Sequence, residues 1–178
     1  TAPAKPFLIG RYEVTKAQWA AVIGGNDPYP TNGDAWPWAP EGGDDSPMNK
    51  VSWQDITKVD GFLDKLNTVS GCDVSKLTTD NNRYHPHNVP AGCYRLPTED
   101  EWEFAARSGS TGLYSFGDDP SQSIYHAYTK ENRDGGSRIK PVGQFLPNLG
   151  GLHDVHGNVA EWVFDEYYSC SNTSPRSR

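Results

Sequence analysis

The chain has little that could sit in a membrane. No stretch of its 178 residues approaches the ~20 consecutive apolar residues that a spanning helix needs. Positive charge is scarce as well. Sixteen Lys and Arg stand against 23 Asp and Glu, a formal net charge of −7, and the basic residues are scattered apart from Arg176 and Arg178. This balance argues against nucleic acid as the main partner and suits solubility and divalent cations. No Met and no signal peptide open the chain, so residues 1–6 read as a short extended linker, with a lipid or surface anchor expected upstream of residue 1.

Cysteine is rare: Cys72, Cys93 and Cys170. The first two bracket a polar insert, residues 73–92, that has no apolar periodicity. A bridge across it would contribute roughly 3 kcal/mol by loop entropy. The alternative is two unpaired thiols in a cytosolic protein. An insert that begins and ends on cysteine favours the bridge, and a bridge implies an oxidising compartment: periplasm, cell surface or outside. Cys170 is left over, either free or paired with something beyond Arg178.

Turn-forming and aromatic residues are plentiful instead. There are 18 Gly and 14 Pro, with six Trp and nine Tyr in a chain that is 35% apolar. That composition argues against a helix bundle and suits one domain over residues 1–178, rich in loops that large rings can anchor. Three helices announce themselves. Thr15 and Gln18 form a capping-box pattern ahead of Trp19, Val22 and Ile23, and Gly24-Gly25 ends that helix. Ser52 and Asp55 open a second, with Ile56, Val59, Leu63 and Leu66 as one apolar stripe. Thr98 and Glu101 open a third, with three acids in its first turn and Trp102, Ala105 and Ala106 as its buried face. Residues 7–14, 114–117 and 141–145 read as short strands. Residues 26–47 form a loop dense in Gly, Pro and Asp that carries Trp36 and Trp38. The fold class is α+β with much irregular backbone, ending in a flexible tail at 170–178.

The run Tyr94-Arg95-Leu96-Pro97-Thr98-Glu99-Asp100-Glu101-Trp102-Glu103-Phe104-Ala105-Ala106-Arg107, with Gly151-Leu152-His153-Asp154-Val155-His156-Gly157-Asn158-Val159-Ala160-Glu161-Trp162-Val163 after it, resembles the formylglycine-generating enzyme (sulfatase-modifying factor) family. Ile9-Gly10-Arg11-Tyr12-Glu13-Val14-Thr15, Pro47-Met48-Asn49-Lys50-Val51-Ser52-Trp53 and Pro141-Val142-Gly143-Gln144-Phe145-Leu146-Pro147-Asn148 match it in order. The resemblance covers the chain from Phe7 to about Asp165 and implies a variant of the C-type lectin fold. Members of that family do unlike jobs. Some are copper-dependent oxidases acting on a sulfatase cysteine. Others are domains fused to enzymes, or ligand-binding surface proteins that include targets of diversity-generating retroelements.

The resemblance also implies a structural calcium site. Its ligands would be the Asp154 side chain, the carbonyls of Gly157 and Val159, and the Glu161 side chain. Calcium takes six to eight hard oxygens, and a turn presenting carbonyls between two carboxylates supplies charge and geometry together. The alternative is a Gly-Asn turn flanked by a cap and a surface acid. The family's second calcium site has Ala127 where an Asn is expected. Asp134 is a candidate ligand there, and full occupancy is not expected.

Other residues read more plainly. His153 and His156 have a zinc-like spacing, but no third ligand is evident, and turn packing is the favoured reading. His85-Pro86-His87 reads as a solvated loop. Trp102 and Trp162 read as core anchors. Trp36 and Trp38 either plug the core or face a ligand. The oxidase members bind copper(I) through two nearby cysteines, after an Arg-Gly-Gly-Ser block. Neither is present, and residues 172–178 read as the lead-in to it. The expectation is a non-catalytic protein that binds a protein or small molecule outside the cytoplasm, with its binding surface largely C-terminal to this chain. The alternative is a truncated oxidase, with copper as cofactor.

Overall fold

The computed structural model describes residues 3, 5–24, 43–74, 79–80, 83–84, 89–133 and 139–165. Trp36, Trp38, His85, His87, Asp134 and Cys170 lie outside the described residues, so the readings attached to them are not addressed.

Helices dominate, with little strand. The order is α1 (Lys16–Ile23), α2 (Trp53–Thr57), α3 (Phe62–Val69), β1 (Thr79–Asp80), β2 (Arg83–Tyr84), α4 (Glu99–Arg107) and α5 (Ser123–His126). The three expected helix starts are present, each with a complete capping box. Thr15, Ser52 and Thr98 accept from the N–H of Gln18, Asp55 and Glu101, and those side chains reach back to the cap backbone. Each box satisfies two N–H groups that a helix start would otherwise leave without a partner. Gly24 caps α1 at a positive φ of 71°, which glycine adopts at no steric cost.

The second helix differs from expectation because it is two helices. Asp60 takes a left-handed φ of 61°, the Gly61 N–H closes a turn onto the Lys58 carbonyl at 2.9 Å, and the Asp64 carboxylate accepts the Asp60 N–H at 2.8 Å. A side chain at Gly61 would meet the Asp55 and Lys58 carbonyls at 2.8 Å each, so glycine is what the break requires. The break removes Val59, 42% exposed, from the stripe and leaves Ile56, Leu63 and Leu66 on the core.

That core is small and aromatic. Trp19 of α1 stacks on Phe62 of α3 with ring centroids 4.5 Å apart and planes 4° apart. Ile56 and Leu63 complete the buried set, and Val22, Ile23, Met48, Val51, Leu66 and Leu96 pack against it. Each large buried side chain stabilises by about 1.5–3 kcal/mol.

The expected strands are not ladders. Residues 7–14 make single bonds to two separate segments instead: Met48 N–H to Val14 O at 2.7 Å and His153 N–H to Arg11 O at 3.0 Å. Tyr114 and Gly117 form an isolated bridge. Residues 141–145 are turn and irregular backbone. The one described pairing is antiparallel, Thr79 with Tyr84 and Asp80 with Arg83, inside the polar insert. The insert is closed by a Cys72–Cys93 disulfide, Cα atoms 5.3 Å apart. Beside it the buried Asn67 side chain imitates a strand neighbour: its Oδ1 accepts the Tyr94 N–H at 2.6 Å and its Nδ2 donates to the Tyr94 carbonyl at 3.0 Å.

Candidate functional site

The segment from Pro141 to Glu161 is shaped by hydrogen bonds rather than by regular structure. Asn148, 8% exposed, is its hub. Its Nδ2 donates to the Ala105 and Ala106 carbonyls at 2.9 Å each, near the end of α4. Its Oδ1 accepts from the N–H groups of Gly150 and Leu152 at 3.0 Å each. Carbonyls of the last helical turn thus find a partner that fixes where the next segment starts.

The turn at 154–161 follows. Asp154 and Asn158 both adopt left-handed backbone, φ 64° and 66°, a region that Asp and Asn tolerate better than most residues. The Gly157 N–H closes the turn onto the Asp154 carbonyl at 3.0 Å, and the Asn158 N–H donates to the Tyr128 carbonyl at 2.8 Å. A side chain on Gly157 would run into that same Tyr128 carbonyl.

Three carboxylates gather here. Asp154 is 2% exposed, and its Oδ2 accepts the Gly143 N–H at 2.7 Å. Glu161 accepts the Trp102 indole N–H at 2.8 Å. Glu13, 9% exposed, comes from the N-terminal segment. It accepts the Asn158 amide at 2.8 Å and the Val159 N–H at 3.1 Å. Burial pushes the Asp154 carboxyl up from its ordinary value, against the Gly143 bond that lowers it. Burial pushes Glu13 up to about 8, opposed by the Val159 N–H and reinforced by the charges of Asp154 and Glu161. Glu161 is an exposed residue as a whole, so desolvation acts on the face it turns to Trp102 and Asp154. That desolvation, with the Asp154 charge, pushes its carboxyl up. No Lys or Arg forms an ion pair with any of the three among the described residues.

The turn leaves oxygen donors open. Among the described residues, the carbonyls of Gly157 and Val159 accept no hydrogen bond, and neither does Asp154 Oδ1. Hard oxygens without a protein donor, beside carboxylates without a counter-charge, are the donor set a divalent cation of calcium type uses. No three His, Cys, Asp or Glu side chains converge as a metal cluster among the described residues, so such a site would draw on backbone oxygens. The turn also floors an open cleft of about 560 Å³, bordered by Trp102, Tyr128, Lys130 and Arg133.

The two histidines turn to different partners. His153 Nδ1 lies 2.8 Å from the Phe145 carbonyl. His156 Nε2 accepts the Ser115 N–H at 3.0 Å, so its proton sits on Nδ1, and burial pushes its pKa down. Both serve turn packing. At the second expected calcium position, Ala127 is fully buried and its carbonyl accepts the Asn132 amide at 2.7 Å. Trp162 departs from expectation. It is 48% exposed and is tied by its indole N–H to the Val51 carbonyl at 3.0 Å, an amphipathic anchor rather than a core residue. Trp53 makes the reciprocal tie to the Val163 carbonyl at 3.0 Å.

Sequence reasoning missed Glu13, Asn148 and Asn158 as parts of the site. No local signal marks Glu13, because an acid between Tyr12 and Val14 fits the alternation of a strand with its polar side outward. The structure inverts that alternation, with the acid buried and Tyr12 and Val14 over 40% exposed at 44% and 43%.

Known proteins resemble this chain. The chain matches the profile of the sulfatase-modifying factor enzyme 1-like domain over residues 1–177. It is 30% identical over 186 residues to the chaperone protein LppX of Paenibacillus barcinonensis, covering 89% of this chain and 62% of that protein. It is 31% identical over 192 residues to the formylglycine-generating enzyme of Thermomonospora curvata, covering 93% and 61%. The structure resembles Treponema denticola variable protein 1 with a TM-score of 0.59 and 25% identity, covering 90% of this chain and 65% of that one. The chain thus spans less than two thirds of the length of these relatives.

Proposed function

Since this chain belongs to the sulfatase-modifying factor enzyme 1-like family, we propose that it is a non-catalytic binding scaffold of C-type lectin-like α+β fold, stabilised by calcium at residues 154–161. The state of the thiols carries this reading. Oxidation of a peptidyl cysteine by copper(I) calls for a pair of soft thiolates. Of the three cysteines in these 178 residues, Cys72 and Cys93 are joined to each other. Cys170 alone does not make a pair. The relatives carry unlike names: one is a chaperone, one a formylglycine-generating enzyme and one a variable protein. A shared fold does not select among them.

Calcium would be held by the Asp154 and Glu161 side chains and the Gly157 and Val159 carbonyls. Its role there is charge neutralisation and turn rigidity. The ligand would be a protein or a small molecule, and the disulfide supports a location outside the cytoplasm.

Two measurements test this. Calcium added to chelator-treated protein at about one hundred times its Kd stabilises by roughly 2.7 kcal/mol, which raises Tm by about 5–10 °C. An unchanged Tm removes the metal from the reading. The oxidase alternative draws support from the Thermomonospora curvata relative. Copper-dependent turnover of a cysteine peptide of sulfatase type by the purified chain establishes that alternative instead.

A further inference from the structure

We infer that Glu13 is the positioning residue of the calcium turn, holding the Asn158 side chain and the Asn158–Val159 peptide plane that lies between the Gly157 and Val159 carbonyls. This rests on the calcium reading of residues 154–161. The two peptide planes around Asn158 are each pinned by their N–H groups. The Asn158 N–H donates to the Tyr128 carbonyl at 2.8 Å. The Val159 N–H donates to Glu13 Oε1 at 3.1 Å. In a trans peptide the carbonyl points opposite to the N–H. The Gly157 carbonyl, paired with the Asn158 N–H, is therefore turned away from Tyr128. Glu13 fixes the next plane and with it the direction in which Val159 leaves the turn.

The side chain of Asn158 is held at the same time. Its amide donates to Glu13 Oε2 at 2.8 Å and to the Lys140 carbonyl at 3.2 Å, and its Oδ1 accepts the Lys140 N–H at 3.0 Å. A single carboxylate thus bonds the side chain of the residue in left-handed conformation and the backbone N–H of the residue after it, at the place where the turn is hardest to keep. Glu13 itself is not placed as a metal ligand. It acts from behind the donors, as residues that orient a metal's own ligands do elsewhere. Its segment is anchored on both sides, by the Met48 N–H on the Val14 carbonyl and the His153 N–H on the Arg11 carbonyl.

The experiment compares wild type with Glu13→Gln and Glu13→Ala, titrating calcium by calorimetry well below Tm and measuring Tm in chelator. Glu13→Gln keeps the size of the side chain but sets an NH2 group against the Asn158 amide. It is expected to weaken calcium binding by about tenfold or more while Tm in chelator stays near wild type. Should Glu13→Ala fail to fold, Glu13→Gln decides alone. Wild-type affinity in a folded Glu13→Gln overturns the positioning role and leaves the calcium reading standing. No calcium binding by wild type overturns the calcium reading, and the positioning role with it.

Discussion

The core between α1 and α3 and the turn at 154–161 are built on opposite principles. The core is a set of touching apolar side chains, with Trp19 stacked on Phe62 and both at most 5% exposed. Such contacts are non-directional, and their worth scales with area removed from water. The turn has hydrogen bonds arriving from Glu13, Trp102, Tyr128 and Gly143. Those bonds are directional, and each acts through one atom. The core should therefore tolerate a change of shape and suffer from lost volume. The turn should tolerate little change of shape at all.

Trp19→Ala gives the largest expected effect. Emptying the stack costs about 3–5 kcal/mol in a urea titration. Calcium affinity of the fraction that remains folded should not move, and a parallel loss of affinity would break the separation between the two regions. Cys72→Ser with Cys93→Ser comes next. Opening the loop costs about 3 kcal/mol, read as a lower Tm, with the calcium response again retained. Gly157→Ala sharpens the contrast from the other side. One methyl against the Tyr128 carbonyl costs about 1–3 kcal/mol, less than the core change, yet it should abolish the rise in Tm on adding calcium.

The smallest effect concerns pH. Arg95 binds both Glu101 oxygens, at 2.6 and 2.7 Å. That bond, against some burial and with help from the Thr98 N–H, lowers the Glu101 pKa to about 2 from 4.5. A depressed folded pKa means stability that is present above pH 4.5 and is lost as pH falls from 4.5 towards 2. The pair is partly open to solvent, so the loss is on the order of 1 kcal/mol. Thermal melts over that range with Glu101→Gln as reference check it: the variant should show a shallower acid dependence. An equal slope in both proteins would assign the acid loss to groups other than Glu101.

How legible each region was follows from the same contrast. The starts of α1, α2 and α4 could be read because a capping box is complete within four residues. The apolar positions Trp19, Ile56 and Leu63 could be read because helical spacing repeats locally. The break at 58–61 was missed because Gly61 and Asp60 only weakly interrupt a periodic stripe. The strand expected at 7–14 failed because alternation says nothing of whether a neighbouring strand exists. The turn itself was recognisable by resemblance, while its support was not. Glu13 and Asn158 are 145 residues apart, and no local pattern marks the pair.

The sequence by itself determined where three helices begin and that Trp19, Ile56 and Leu63 join the small core, and it favoured the pair of cysteines that closes the insert. Each depends on neighbours in the chain or on a simple count. Only the tertiary structure decided that an acid in an extended N-terminal segment is buried behind the turn, that Trp162 reaches out rather than in, and that two carbonyls are left without donors. Those outcomes depend on which backbone groups meet across more than a hundred residues, and directional bonds between distant segments leave no periodic trace in the chain that makes them.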